Sequence, residues 1–319
     1  MINDTKKDKF LIISGPTATG KTSLAIKLAK KFNGELISAD SRQIYREMDI
    51  GTGKDHPKNV KIHLVDIINP NESFSVAQYR NLAIKTINEI YSRGKLPVIV
   101  GGTGLYIDSI INLQPTFSIK PKPILRFFLN RFSVSFLQKI YSFLDFESFK
   151  KLNQSDINNP HRLIRKIEIK LFLNEKIISP FRLPAGASAK VGQRGTKGGF
   201  NFLHLSLTAP NQYIYQKINK RIDNRLNNGL LGEINSLLKS YKWSDPGLNT
   251  LAYKEFQPYF QKQKSLEKCV DQWRHDEHAY LRRQKTWFKK RPEINFFDIT
   301  QGDYPQTLID FVAKWYNQL

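Results

Sequence analysis

The sequence carries one motif whose residue types and spacing are specific for phosphate binding. The pattern G-x-x-x-x-G-K-[S/T] is matched by Gly15-Pro16-Thr17-Ala18-Thr19-Gly20-Lys21-Thr22. Glycines let the backbone curl so that successive N–H groups point at a phosphate, and a helix that begins there adds the positive end of its dipole. Lys21 supplies a mobile positive charge for the outer phosphate, and the Thr22 hydroxyl can hold Mg²⁺. The motif predicts a ligand with a pyrophosphate or triphosphate group.

Asp40 is the acidic residue that could act beside this loop, because it follows an apolar run at 35–39 that predicts the next strand. A carboxylate there could be a general base that accepts a proton from an attacking nucleophile. The alternative is an N-cap or turn residue, because Asp-Ser is a common helix start. The next strand ends in Gly101-Gly102-Thr103-Gly104 rather than in the acid that hydrolytic phosphate-loop proteins usually carry. The pattern therefore favours a transferase.

An α/β fold must position these residues. Hydrophobic patterning predicts strands at 9–14, 35–39, 96–100, 200–207 and 294–299. Helical spacing predicts helices at 23–32 and 76–91, and a mainly helical chain from 211 onward. Alternation of strand and helix is typical of a parallel sheet with crossover helices on its faces.

A second region interrupts this pattern. Residues 114–123 contain three prolines, 124–152 are predicted to be helical, and 153–160 form a polar break. A further amphipathic helix is predicted at 162–173, and the glycine-rich segment 184–199 is predicted to be a loop. We therefore expect a P-loop core domain formed by residues 1–114 and 159–319, with a small helical insertion at 115–158.

The charge balance favours a polyanionic partner. Lys and Arg number 50 against 28 Asp and Glu, which gives a formal net charge of +22 and an isoelectric point near 9.9. Such a field attracts nucleic acid, although a solvated lysine-rich surface is the alternative. The single cysteine, Cys269, excludes a disulfide or a cysteine-built zinc site within the chain. The sequence shows neither a membrane-length apolar run nor a signal peptide, so we expect a cytoplasmic enzyme without a membrane partner.

Three segments together resemble the tRNA dimethylallyltransferase family, also called tRNA isopentenyltransferases, of the bacterial type. They are GPTATGKT at 15–22, ISADSRQIYREMDIGTGK at 37–54 and VGGTGLYI at 100–107. Further matching blocks are HLVD at 63–66, FSV at 74–76, PHRLIR at 160–165, RID at 221–223, GLL at 229–231, AYKE at 252–255 and RRQ-x-TWF at 282–288. The resemblance covers most of the chain and implies a P-loop NTPase-like parallel sheet flanked by helices, with a small helical insertion domain.

The resemblance implies transfer of a dimethylallyl group from dimethylallyl diphosphate to the N6 amine of the adenine 3′ of the tRNA anticodon. Asp40 would be the catalytic base, while Lys21, Thr103 and Arg221 would act on the diphosphate with the loop 15–22 and Mg²⁺ on Thr22. The candidates for tRNA contact are Asp40, Ser41, Arg42, Gln43, Thr103, Arg126, His161, Arg162 and Arg165. For the last four, the solvated face of a helix is an equal alternative. The family default is a monomer.

The sequence departs from the family pattern at several positions. Arg221 and Arg225 lie one turn apart on the same helix face, so either could be the family's arginine. In the family pattern this arginine stands eight residues before the Gly of the Gly-Leu pair, and counting back from Gly229 selects Arg221. Residue 225 is usually apolar in that pattern, so Arg225 is a departure. Glu277 is another, because Thr is common there, and Asn159 and Asn211 replace a usual Asp and Arg. The insertion is shortened, and with it the expected RNA contact.

Two other classes of protein fit the phosphate-loop motif alone. A nucleotide or small-molecule kinase would use the loop for ATP, but it would not need the basic excess. An RNA-binding NTPase switch would need a magnesium-holding acid and switch loops, which we do not find in the sequence. Binding of dimethylallyl diphosphate rather than ATP would separate the transferase from both.

Overall fold

The structure is a computed structural model, and it describes residues 9–54, 57, 60–112, 116, 119, 121–178 and 201–318. The contacts divide these residues into two compact units, one formed by those before 113 and from 201 onward, the other by those between. The predicted loop at 184–199 lies outside the described residues. No helix within these ranges is long and apolar enough to cross a membrane.

The described part of the first unit contains a six-stranded parallel sheet in the order β3-β2-β4-β1-β5-β6. Its strands are β1 (Lys9–Ser14), β2 (Gly34–Ser38), β3 (Ile62–His63), β4 (Leu96–Val100), β5 (Asn201–Thr208) and β6 (Ile294–Asp298). The α/β architecture expected from the sequence is confirmed, with β1 and β4 at the predicted residues. The two-residue β3 was not predicted, because it is too short to show a period.

The helices of the first unit are α1 (Lys21–Lys31), α2 (Val76–Ser92), α3 (Gly104–Ile111), α9 (Asn211–Asn227), α10 (Leu230–Leu237), α11 (Gln257–Phe260), α12 (Leu266–Lys289) and α13 (Gln306–Asn317). They cover both faces of the sheet, because alternate strand residues point to opposite sides. Phe10 and Ile12 pack in one core with Trp273 of α12, while Leu11 and Ile13 pack in the other with α1 and α13.

The carboxyl ends of the central strands meet at one edge of the sheet. In the parallel register Ile13 lies opposite Val100, and Val100 lies opposite Ser38. The loops that follow β1, β2 and β4 therefore leave the sheet side by side. Ligands of open parallel sheets bind at this kind of edge.

The second unit contains α4 (Pro123–Leu129), α5 (Val134–Leu144), α6 (Phe146–Lys150), α7 (Gln154–Ile157) and α8 (Pro160–Ile178). The segment expected to be one helical stretch is split, because Ser133 and Asp145 cap new helices by accepting from the N–H groups of Phe136 and Ser148. Short α7 lies within the expected polar break.

The observed boundary of the second unit differs from the one expected at residue 159. Helix α8 was assigned to the core domain, but it packs in the second unit. Its Leu163, Ile164 and Ile167 are buried against Leu137 and Tyr141 of α5. These three positions form one apolar face at helical spacing, and α5 provides the surface that buries it.

Candidate active site

The phosphate loop lies between β1 and α1 and is held in a tight curl. Gly15 has a φ of 134°, and a Cβ there would overlap the carbonyl oxygen of Leu207, so only glycine fits. Thr19 Oγ1 donates to the carbonyl oxygen of Pro16 at 2.8 Å, and Lys21 Nζ donates to the same oxygen at 2.6 Å. Helix α1 starts directly after Gly20, two residues before the predicted start. Its unpaired N–H groups and dipole form an anion site.

A pocket opens at this loop and collects half of the predicted site residues of the first unit. Thr17, Lys21 and Thr22 line it from the loop, and Asp40 lines it from the end of β2. Predicted and unpredicted side chains from elsewhere complete the lining, among them Arg42, Gln43, Arg221, Arg225, Tyr280 and Gln284. The pocket therefore combines several cations with one carboxylate.

Asp40 keeps one carboxylate oxygen available to this pocket. Its Oδ1 accepts from the backbone N–H of Arg42 at 2.9 Å, and its Oδ2 has no hydrogen-bond partner among the described residues. The strand ends approach closely, because a Cβ at Gly101 would overlap the carbonyl oxygen of Ala39. This approach brings the turn after β2 against the turn after β4.

Thr103 and Ser41 tie these two turns together. The backbone N–H of Ser41 donates to Thr103 Oγ1 at 3.0 Å, Thr103 Oγ1 donates to Ser41 Oγ at 3.2 Å, and the N–H of Thr103 donates to the carbonyl oxygen of Ala39 at 3.0 Å. These bonds orient the turn that carries Asp40. The expectation that Thr103 reaches the diphosphate stays a prediction.

Lys21 lies where its positive charge is disfavoured. The pKa of its ammonium group is lowered to about 7, mainly by burial; Asp40 opposes this shift, and the neighbouring Arg221 adds a smaller lowering effect. Burial and a neighbouring guanidinium both disfavour the charged form of an ammonium group. An anion in the loop would favour that charged form.

Arg42 and Gln43 line the pocket but have partners inside the protein. The Arg42 guanidinium pairs with buried Glu277 at 3.0 Å and lies 4.2 Å over the ring of Tyr280. Gln43 Nε2 donates to the carbonyl oxygen of Gly53 at 3.2 Å. Their predicted contact with RNA is untested.

Arg221 is a residue of α9, and its side chain lines the pocket. Its Nη1 donates to Thr17 Oγ1 at 3.1 Å, and its Nη2 donates to the carbonyl oxygen of Gly53 at 3.4 Å. A Cβ at Gly53 would overlap both Arg221 Nη2 and Arg225 Nη2. The glycine thus lets two guanidinium groups lie side by side against its backbone, and one of them, that of Arg221, also contacts the phosphate loop.

Comparisons with known proteins agree with this geometry. The family model described as IPP transferase matches residues 43–291. The chain belongs to the IPP transferase family.

Curated relatives and solved structures extend the match to nearly the whole chain. A tRNA dimethylallyltransferase of Roseiflexus sp. is 34% identical over 96% of this chain and 98% of its own, and one of Bacillus cereus is 35% identical over 98% and 96%. The crystal structure of a tRNA isopentenylpyrophosphate transferase from Bacillus halodurans is 33% identical, covers 97% of each chain and has a TM-score of 0.70. A eukaryotic dimethylallyltransferase acting on tRNA is 25% identical over 96% of this chain and 80% of its own, with a TM-score of 0.76. The P-loop NTPase-like fold is therefore confirmed.

Two residues that hold this IPP transferase site together were not predicted. Gln284 donates from Nε2 to the carbonyl oxygen of Gly102 and accepts from the N–H of Thr17, both at 3.0 Å, so it joins two loops at the sheet edge. Its place in the RRQ block was the available signal. Glu233 of α10 accepts from three successive N–H groups, those of Asp49 at 2.8 Å, Ile50 at 2.7 Å and Gly51 at 3.0 Å, and from the Tyr253 hydroxyl at 2.7 Å.

The remaining predicted RNA contacts, Arg126, His161, Arg162 and Arg165, lie in the second unit. Arg126 forms two hydrogen bonds of 2.7 Å to Glu168, which is 1% exposed. Arg165 contacts the same carboxylate at 3.2 Å and donates to two backbone carbonyls. Arg162 pairs with Asp156 at 2.7 Å, and His161 is exposed.

These pairings separate the four candidates. Arg126 and Arg165 neutralise a buried carboxylate, so both have a structural role. Arg162 and His161 lie at the surface, where a phosphate could reach them. RNA contact by any of the four stays a prediction.

Proposed function

We propose that this protein transfers a dimethylallyl group from dimethylallyl diphosphate to the N6 amine of the adenine 3′ of the anticodon in tRNA and releases diphosphate. The observation that carries the proposal is one pocket that combines a phosphate loop, Lys21 and Arg221 with the carboxylate of Asp40. Membership in the IPP transferase family and the names of its relatives support the same reaction. Family membership also disfavours the kinase alternative.

The allylic C–O bond is the bond that breaks. Negative charge develops on the departing diphosphate, while positive charge develops on a resonance-stabilised allylic carbon. Lys21, Arg221 and the N–H groups at the start of α1 would stabilise the departing diphosphate. Fixed charges and dipoles cost no reorganisation at the moment of reaction, which makes this stabilisation effective.

The adenine amine is a weak nucleophile because its lone pair is delocalised into the ring. As the new C–N bond forms, the nitrogen becomes acidic and must lose a proton. The free Oδ2 of Asp40 would accept that proton as a general base. The base must leave the stacked anticodon loop to reach this pocket, so we expect it to be flipped.

The donor set at the phosphate loop fits Mg²⁺. The Thr22 hydroxyl is a hard oxygen donor, and it has no hydrogen-bond partner among the described residues. Those residues contain no cluster of three or more His, Cys, Asp or Glu side chains. Mg²⁺ usually takes most of its ligands from phosphates and water, so Thr22 and the diphosphate would hold it. The ion would neutralise charge on the leaving group.

We propose that the acceptor is tRNA. We also propose that the enzyme acts in the cytoplasm and is a monomer. The net charge of +22 supports a polyanionic partner. Ser41, Arg42 and Gln43 would lie near the flipped base, and the exposed face of α8 with His161 and Arg162 would contact phosphates.

The test is a transfer assay on unmodified tRNA. Purified protein is incubated with dimethylallyl diphosphate, and the digested nucleosides are examined by mass spectrometry. We expect N6-dimethylallyladenosine in the native tRNA and none when that adenine is replaced by guanine. Phosphoryl transfer from ATP without prenylation would overturn the proposal.

A further inference from the structure

Arg225 is a buried cation that the reaction described above does not use. It lies in the last turn of α9, is only 8% exposed and lines the pocket at the phosphate loop. It makes no hydrogen bond or ion pair with the described residues, whereas Arg42 in the same lining pairs with Glu277 at 3.0 Å. Leaving a buried guanidinium unpaired is costly, so this side chain needs an anion.

The groups around Arg225 do not supply one within contact distance. The guanidinium groups of Arg225 and Arg221 meet over Gly53, where a Cβ would overlap both. The pKa of Arg225 is lowered to about 9, mainly by burial and then by Arg221, with a smaller opposing effect of Glu277. The pocket lining therefore carries more positive than negative charge, because Asp40 is the one carboxylate among the described lining residues.

A diphosphate is the anion that fits this excess. Its oxygens match the fork of N–H donors on a guanidinium, which can make two parallel charge-assisted bonds. The neighbouring Arg221 already contacts Thr17 of the phosphate loop at 3.1 Å. An anion seated between the loop and Gly53 would thus lie beside both arginines.

We propose that Arg225 is a further ligand of the donor diphosphate, beside Lys21 and Arg221, and that Glu277 only partly offsets its charge within the fold. The inference rests on the proposed function for the identity of the donor. The competing explanation is that Arg225 and Glu277 only balance each other inside the fold.

The experiment measures binding of inorganic pyrophosphate and of dimethylallyl diphosphate by calorimetry. The variants are R225M, R225K and the double variant R225M/E277Q, which removes both charges. The matched control is K220M, because Lys220 is an exposed cation on the same helix. Thermal unfolding verifies that each variant is folded.

We expect R225M to weaken pyrophosphate binding by roughly ten- to a hundredfold, the usual loss for a charge-assisted hydrogen bond. R225K should lose less, because a lysine keeps the charge but not the fork. R225M/E277Q should bind as weakly as R225M or more tightly by only a small factor, and K220M should bind like the wild type.

Wild-type pyrophosphate affinity in R225M, or in the double variant, would overturn the inference. If R225M does not fold, R225K decides, because it keeps a positive charge in the fold and removes only the planar set of N–H donors. A failure of the proposed function gives a different result. The wild-type protein would then not use dimethylallyl diphosphate as a donor, whereas the pyrophosphate affinities of the variants would still test the role of Arg225.

Discussion

At Asp40 the surroundings determine what the carboxylate can do. One oxygen is held by the N–H of Arg42 at 2.9 Å, and Thr103 fixes the turn. The side chain lines the pocket, and its other oxygen has no hydrogen-bond partner among the described residues. Of the two alternatives in the sequence, an N-cap role is not observed, because the next helix in the chain is α2, capped by Ser75. A turn role is observed, because Oδ1 accepts from the N–H two residues later, but it occupies only one of the two oxygens. The residue is thus available for proton transfer.

Replacing Asp40 by Asn should lower the transfer rate while donor binding persists. Asn keeps the size and the hydrogen bond from Arg42, but it is not a base at neutral pH. Loss of a general base typically costs about 10²–10⁴-fold in rate. Single-turnover transfer to tRNA measures the rate, and D310N, a change at an exposed aspartate of α13, is the control. Wild-type turnover of D40N would contradict the assignment.

Lys21 should make donor binding dependent on pH. Burial holds its pKa at about 7 in the free protein, and a bound diphosphate favours the charged amine, which raises that pKa. Affinity is therefore greatest below pH 7 and falls as the pH rises through 7. Calorimetry at pH 8 in buffers of different ionisation enthalpy should show proton uptake on pyrophosphate binding. K21M corrects for ionisation of the ligand itself, and equal uptake in K21M would refute the mechanism.

At the scale of elements, one carboxylate on α10 fixes the segment 49–53 that carries Gly53 to the arginines. Glu233 accepts from three backbone N–H groups and the Tyr253 hydroxyl. The Tyr253 ring also packs so closely on Gly51 that a Cβ would overlap it. The segment is thus held from α10 and from the turn before α11, two parts of the chain far away in sequence.

E233Q should loosen this segment. A glutamine side chain presents an N–H₂ group where N–H donors need an acceptor, so we expect a loss of about 2–3 kcal/mol in stability, the value of charged hydrogen bonds. The KM for dimethylallyl diphosphate should rise more than kcat falls, because Gly53 positions Arg221. Urea unfolding and steady-state kinetics measure both effects. Y253F, which removes one donor, should lose less, and E267Q on α12 should change neither.

At the scale of the whole molecule, the basic excess is large and both units contribute to it. The second unit uses part of its basic charge internally, since Arg126 and Arg165 surround Glu168. Arg162 keeps 48% of its side chain exposed although it pairs with Asp156. The number of cationic side chains available to bind RNA is therefore smaller than the net charge suggests.

Binding of tRNA should weaken steeply with salt. If several cations meet phosphates, affinity should fall by at least about tenfold between 50 and 200 mM salt, linearly on a log–log plot. R162A should flatten that slope by about one unit if Arg162 meets one phosphate. R165A should instead lower the unfolding temperature, because it removes a partner of Glu168. Filter binding and thermal unfolding separate the two, and a slope unchanged in R162A would place the contact elsewhere.

The sequence by itself determined the local parts of this protein. The phosphate loop was recognisable because its eight residues carry both the backbone curl and the donor groups. Strands β1 and β4 were placed at their exact residues because each contains a short apolar run, and both lie buried in the middle of the sheet. The count back from Gly229 selected Arg221, which lines the pocket, but Arg225 lines it too, so the role of Arg221 stays a prediction.

Only the tertiary structure decided which distant residues meet. Strand β4 lies between β1 and β2, which sets the Asp40 turn against Gly101, and no local pattern contains that order. Glu233 reaches a segment 182–184 residues earlier, and Arg42 pairs with Glu277 at a separation of 235. Such contacts depend on the packing of α10 and α12 against the sheet edge. Local propensity encodes turns and periods, whereas a buried charge acquires its partner only when the whole chain has folded.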